Sequence, residues 1–211
     1  MALRLSFGQS MRKKLIFVAA AGVASLFLAQ VHASEAQSLA VSLCANCHGS
    51  DGISADPAIP KIAGMDAGYL RKQLKAFISG QRRNEQMSPV AATLSDDDVA
   101  ALATHFGKQA GRPGQSAVPA LVALGKQIYE DGISERSVPA CASCHQSDGA
   151  GNVRFPRVAG QHQAYTLAQL VAFQSGRRAT DRQMSSVIKP LKMPEMEALA
   201  EYMASLSVES R

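Results

Sequence analysis

From residue 70 to residue 78 the chain sets Leu70, Leu74, Phe77 and Ile78 three or four positions apart, with Arg71, Lys72 and Lys75 between them. An apolar face opposite a charged one at that spacing predicts an amphipathic helix. Val99, Leu102, Ala103 and Phe106 repeat the pattern. Ser95 stands before them with Asp98 three residues on, the arrangement of a capped helix start. Met196, Leu199, Ala200 and Met203 make a further apolar face, and Pro194 suits its first turn. Leading helices fit residues 36–47 and 120–131. No alternating run long enough for a strand occurs, so the expected fold class is all-α.

These elements come twice. Aligning Cys44 with Cys141, 97 positions on, pairs IPKIAG (59–64) with FPRVAG (155–160) after a one-residue deletion. It then pairs GYLRKQLKAFISGQR (68–82) with AYTLAQLVAFQSGRR (164–178), matching Tyr69 with Tyr165, Gln73 with Gln169 and Phe77 with Phe173. EQMS (85–88) falls on RQMS (182–185), and the closing segments 97–106 and 194–203 also match. A repeat of this length reads as two tandem domains, here 34–106 and 120–211. The segment GKQAGRPGQSAVP (107–119) between them is rich in Gly, Pro and polar residues and reads as a linker.

Charge changes the picture only at the start. The whole chain has 22 basic and 17 acidic residues, but Arg4, Arg12, Lys13 and Lys14 fall within residues 1–33, which hold no acid. The remainder is near neutral and has no basic stripe, which excludes a nucleic-acid partner as an expectation. Arg12 to Lys14, the apolar run 15–29 and Val31-His32-Ala33 have the layout of a secretory signal, so residues 1–33 are expected to be cleaved after Ala33.

Export makes the cysteines informative. The chain has four, all in CANCH (44–48) and CASCH (141–145). Disulfides or half-sites for zinc would use the cysteine pairs, but neither explains a histidine directly after each pair. Covalent haem attachment does: Cys44 with Cys47, and Cys141 with Cys144, reach the two vinyl groups of a porphyrin, while His48 and His145 project beneath the iron. Two covalently bound haem c groups are therefore expected. Each domain is small for a self-sufficient core, and a buried porphyrin would supply its apolar centre.

The order of helix, CxxCH, Pro-x-x-Ala-Gly, Tyr-x-x-x-Gln-Leu-x-x-Phe helix, Met and closing helix resembles class I cytochrome c. Doubled over residues 36–206, it resembles the di-haem cytochrome c4 family. The resemblance implies two cytochrome domains about a pseudo-twofold axis with haem propionates near their interface. It also implies that the carbonyls of Pro60 and Pro156 accept from His48 and His145. Its members are periplasmic electron carriers, loosely associated with the inner membrane, that deliver electrons to terminal oxidases.

The repeat itself selects the sixth iron ligands. Met65 aligns with Gln161, Met193 with Asp96, Met196 with Val99 and Met203 with Phe106, whereas Met87 aligns with Met184. Each of that pair lies 39 residues after its haem histidine. Met/His ligation also raises the potential of a cytochrome c. His105 and His162 have no histidine counterpart and read as surface or capping residues. Arg82 and Arg178 match across the repeat and suit either propionates or a solvated helix end. Tyr69 and Tyr165 are expected near the haem edge, since a buried Tyr needs a polar partner.

Saturated iron has no open position, so the expected role is outer-sphere single-electron transfer rather than catalysis, with no small-molecule substrate. The expected partners are respiratory redox proteins, an electron donor complex and a terminal oxidase, in the periplasm. Two alternatives stand beside the free carrier: a fixed electron-transfer subunit of a larger dehydrogenase or oxidase, and a di-haem peroxidase, whose halves should differ at the sixth ligand.

Overall fold

A computed structural model describes residues 40–207, apart from 117, together with Ser38. The expected leader, the start of the first leading helix and the last four residues lie outside the described residues. The fold is helical. Among the described residues the only strand-like pairings are two isolated bridges, Arg82 with Arg178 and Ile133 with Val138.

In the N-terminal half a π-type turn, Ala40–Cys44, runs into α1 (Ala45–His48), followed by α2 (Ala67–Ile78), α3 (Met87–Ala91) and α4 (Asp96–Gly107). The C-terminal half has α5 (Pro119–Asp131), a 3-10 turn (Ser134–Arg136), α6 (Ala142–His145), α7 (Gln163–Gln174), α8 (Arg182–Ile188) and α9 (Met193–Ser205). The start of α4 is capped as its sequence suggests: Asp98 N–H donates to Ser95 Oγ at 3.1 Å, and Ser95 N–H donates back to Asp98 Oδ2 at 3.0 Å. Asp66 caps α2 by accepting from the Tyr69 N–H at 2.8 Å.

The core of the C-terminal half is where α5, α7 and α9 meet, around Tyr129, Leu170, Phe173, Met196 and Leu199. Helix α5 approaches α9 closely because Gly125 has no side chain: a Cβ there would lie 2.0 Å from the Ala198 carbonyl oxygen. In the N-terminal half α2 packs on α4, where Leu102 and Phe106 are buried against Cys44, Ile62, Leu70 and Leu94.

Helix α2 departs from the expected face. Ile78 is 42% exposed, whereas Gln73 is 7% exposed and Ala76 and Phe77 are buried. Leu70 and Phe77 keep to the expected side, while Gln73 meets Arg178 of the other half, an interface that a single-helix pattern does not contain.

The extended segment between α4 and α5 is held down rather than loose. Its Pro113 carbonyl accepts from Lys61 Nζ at 2.9 Å, Ser116 Oγ donates to Glu201 at 2.9 Å, and Arg112 pairs with Asp51 at 3.3 Å.

Candidate functional site

Each CxxCH sequence forms a single helical turn, which sets its two thiols on one side and delivers the histidine to the interior. His48 is 6% exposed and His145 is 8% exposed. His48 Nδ1 lies 2.9 Å from the Pro60 carbonyl, and His145 Nδ1 lies 2.8 Å from that of Pro156. A carbonyl only accepts, so each Nδ1 carries the proton and each Nε2 keeps its lone pair. Burial lowers both pKa values, opposed in part by these carbonyl bonds, and keeps the rings neutral. After the turn the chain leaves through a left-handed residue, Gly49 at φ 78° in one half and Gln146 at φ 67° in the other. The Gln146 carbonyl is fixed by the Tyr129 hydroxyl at 2.7 Å.

All four cysteines are free thiols. Burial raises the Cys44 thiol and pushes the Cys141 thiol up to about 11, with Cys47 and Cys144 adding to the respective shifts. Such thiols are the reverse of the low-pKa thiolates of redox-active disulfides. Among the described residues no group of three His, Cys, Asp or Glu is placed to hold a metal ion by itself.

The two matched methionines share one backbone contact, an N–H held by the side chain three residues earlier. Met87 opens α3, and its N–H donates to Asn84 Oδ1 at 2.8 Å. Met184 lies in the first turn of α8, and its N–H donates to Asp181 Oδ1 at 3.0 Å. Both side chains are half-buried. Met65, Met196 and Met203 are buried, and Met193 is 47% exposed. His105 stacks edge-on against Phe106. His162 opens α7 without capping it; its Nε2 donates across to the Ser54 carbonyl at 3.0 Å.

Arg82 and Arg178 are not solvated helix ends. Arg82 donates to Gln73 at 2.9 Å in its own half, and to Tyr165 and Gln169 of the other half at 2.8 Å each. Arg178 mirrors it, reaching Gln169 at 2.9 Å, Tyr69 at 2.8 Å and Gln73 at 3.0 Å. Each guanidinium also lies over a phenyl ring, Phe77 or Phe173, at 4.6 and 4.5 Å. The exchange is reciprocal, as a pseudo-twofold contact requires. A second crossing lies nearby. Lys61 Nζ donates to the Gly160 carbonyl at 3.0 Å, and Arg157 donates to the Ala63 carbonyl at 2.7 Å. These repeat-equivalent cations were legible as a matched pair, but nothing in their flanking pattern marks them as contacts between the halves.

The residues present fit haem c. Free thiols stand one turn apart, a neutral imidazole keeps Nε2 spare, and Arg178 Nε is buried at the seam without a hydrogen-bond partner, a donor suited to an anion. What the chain repeats is a c-type haem-binding unit, which makes it a tandem c-type cytochrome.

Comparison with known proteins narrows that class. The family description Cytochrome c matches residues 33–108 and again 122–207. Cytochrome c4 of Stutzerimonas stutzeri is 37% identical over 180 residues, covering 79% of this chain and 85% of that protein. The thiosulfate dehydrogenase electron acceptor of Stutzerimonas stutzeri (strain A1501) is 37% identical over 202 residues, covering 88% and 93%. The crystal structure of reduced recombinant cytochrome c4 from Pseudomonas stutzeri superposes with a TM-score of 0.78 at 36% identity, over 82% of this chain and 98% of that one. The chain belongs to the di-haem cytochrome c4 family. It is an electron-transfer cytochrome with two covalent haem c groups, and its Cys-x-x-Cys motifs stand at 44/47 and 141/144.

Proposed function

We propose that the protein carries single electrons between redox proteins of the periplasm, from a donor complex toward a terminal oxidase, and is not an enzyme. Each haem, when bound, supplies a one-electron ferric–ferrous couple. The chain's part is to hold it. Cys44 and Cys47 would tether one group and Cys141 and Cys144 the other. His48 with Met87, and His145 with Met184, would hold the two irons. Pro60 and Pro156 fix the imidazoles through Nδ1, which sets tautomer and ring orientation and raises ligand basicity. Tyr69, Tyr165, Arg82 and Arg178 line the seam, where guanidinium donors suit carboxylates such as propionates.

One observation carries this reading: both halves present the same pair, a histidine locked on a prolyl carbonyl and a methionine whose N–H is held by the side chain three residues earlier. A substrate-binding haem would break that equality. Among the described residues no helix is long and apolar enough to cross a membrane. A redox titration followed by visible absorbance tests it. Two one-electron steps are expected, with no binding of carbon monoxide to the reduced protein; carbon monoxide binding at either iron would reinstate a peroxidase-like role.

A second reading rests on the relative described as a thiosulfate dehydrogenase electron acceptor. There the same two domains would serve a dehydrogenase as its fixed acceptor subunit. Isolation from the native host separates the two: a free species supports the carrier, and recovery only in a complex supports the subunit.

A further inference from the structure

The seam is not fully symmetric, and the departure lies beside one of the two CxxCH histidines, His48. Gln161, 8% exposed, sits in the C-terminal half and clamps the backbone of Lys61 in the N-terminal half from both sides. Lys61 N–H donates to Gln161 Oε1 at 2.9 Å, and Gln161 Nε2 donates to the Lys61 carbonyl at 2.9 Å. The Gln161 oxygen is itself held by the His162 N–H at 3.0 Å, and the Lys61 ammonium is anchored on the Gly160 carbonyl.

Lys61 N–H belongs to the same peptide unit as the Pro60 carbonyl, and that carbonyl accepts from His48 Nδ1 at 2.9 Å. An unbroken hydrogen-bond chain therefore runs from Gln161 Oε1 through one planar peptide to the imidazole. Donation at the N–H end polarises the carbonyl and strengthens its acceptance at the other, by roughly 10–30% per bond. The twin position in the repeat is Met65, whose thioether has no N–H and only weak acceptor strength. Met65 therefore cannot build the reciprocal clamp.

We propose that Gln161 is a positioning residue for His48, acting across the domain seam through the Pro60–Lys61 peptide, and that it makes the two haem sites unequal. The proposal rests on His48 being an iron ligand. A stronger Nδ1–H bond gives the imidazole more anionic character and favours ferric iron. The clamp thus lowers the N-terminal potential and leaves the C-terminal one alone.

The test uses the holoprotein and two readouts, the solvent exchange of the His48 Nδ1 proton by NMR and the two reduction potentials. Gln161→Met, nearly isosteric, removes the clamp; Gln161→Leu replaces it should the first not fold. Gln161→Glu retains an acceptor for Lys61 N–H. The first change should speed His48 proton exchange and raise the N-terminal potential. A shift of about threefold in the ferric–ferrous ratio is ~28 mV at 59 mV per tenfold for one electron. Gln161→Glu keeps that acceptor but loses the donor to the Lys61 carbonyl, so His48 proton exchange should lie closer to wild type than in Gln161→Met. Three results would overturn the proposal: unchanged readouts in Gln161→Met, equal His48 proton exchange in Gln161→Met and Gln161→Glu, or equal shifts of both potentials. A His48 ring without paramagnetic shifts in the ferric wild type would instead remove the ligand assignment on which it rests.

Discussion

The Arg82 guanidinium donates to the Tyr165 hydroxyl of the opposite domain at 2.8 Å, and Arg178 returns the contact to Tyr69 at the same distance. The remaining partners are glutamine oxygens, so hydroxyl and amide oxygens hold both guanidinium groups in the seam, where Arg82 is half-buried and Arg178 is buried. Arg178 is the deeper, at 6% exposed. Replacing it with Leu removes three bonds from a charged donor and leaves Gln73, Gln169 and Tyr69 short of a partner. Such bonds are worth about 1.5–3 kcal/mol each and are not additive, so a total loss of roughly 2–4 kcal/mol is expected. Denaturant unfolding of the holoprotein measures it; a loss below about 1 kcal/mol would mean that the seam does not depend on this pair.

Much of this architecture was legible in the sequence, and the part that was not has one physical cause. The helices on Val99–Phe106 and Met196–Met203, the Ser95 cap and the two CxxCH turns follow from local spacing. The seam does not. Gln73, Lys61 and Gln161 pattern as surface residues, yet they are buried, with Arg157 half-buried beside them, because each half satisfies the polar groups of the other. For the same reason Ile78 was expected inside and stands exposed. Pairing residues through the internal repeat found Arg82 with Arg178 and Tyr69 with Tyr165. It could not show that each arginine reaches the tyrosine of the opposite half, because that exchange is set by docking.

The α5–α9 crossing gives a second expectation. A Cβ at residue 125 would sit 2.0 Å from the Ala198 carbonyl oxygen and 2.8 Å from the Tyr202 Cβ. Both obstacles are fixed parts of α9, so no side-chain rotation relieves them. Gly125→Ala should force the helices apart and cost at least about 1–3 kcal/mol, despite alanine's better helix propensity. A thermal midpoint equal to or above wild type would contradict the packing.

Acid should weaken the C-terminal half through Glu195. Its carboxylate accepts from Arg136 and from the Lys192 N–H at 2.7 Å, and the Arg136 bond leads the causes that hold its pKa below the usual range. A carboxylate with a lowered folded-state pKa contributes stability above its unfolded pKa of about 4.3. That contribution is lost as pH falls through the folded value. The melting temperature should therefore drop more steeply below about pH 4 in wild type than in Glu195→Gln. Parallel curves for the two proteins would show that Glu195 is not the titrating group.

The axial assignment yields the sharpest expectation. Met87 and Met184 are equivalent in the repeat, each lies in the first turn of a short helix, and each has its N–H held by the side chain three residues earlier, Asn84 or Asp181. Such a bond fixes where the methionine backbone starts and leaves its side chain flexible, as the proposed ligation requires. Replacing either with Ala should halve the far-red sulfur-to-iron charge-transfer band, lower that haem's potential and open one iron to carbon monoxide. Met193→Ala should leave band and stability alone, because that residue is 47% exposed. Met196→Ala and Met203→Ala should cost about 2–5 kcal/mol by leaving cavities in the C-terminal core, with the band intact. Removing these bonds separates position from chemistry: Asn84→Ala and Asp181→Ala should leave the thioether present but broaden or weaken the band from one haem each. If Met87→Ala or Met184→Ala left both band and potential untouched, the sixth ligand would lie elsewhere and the argument for closed coordination at both irons would fail.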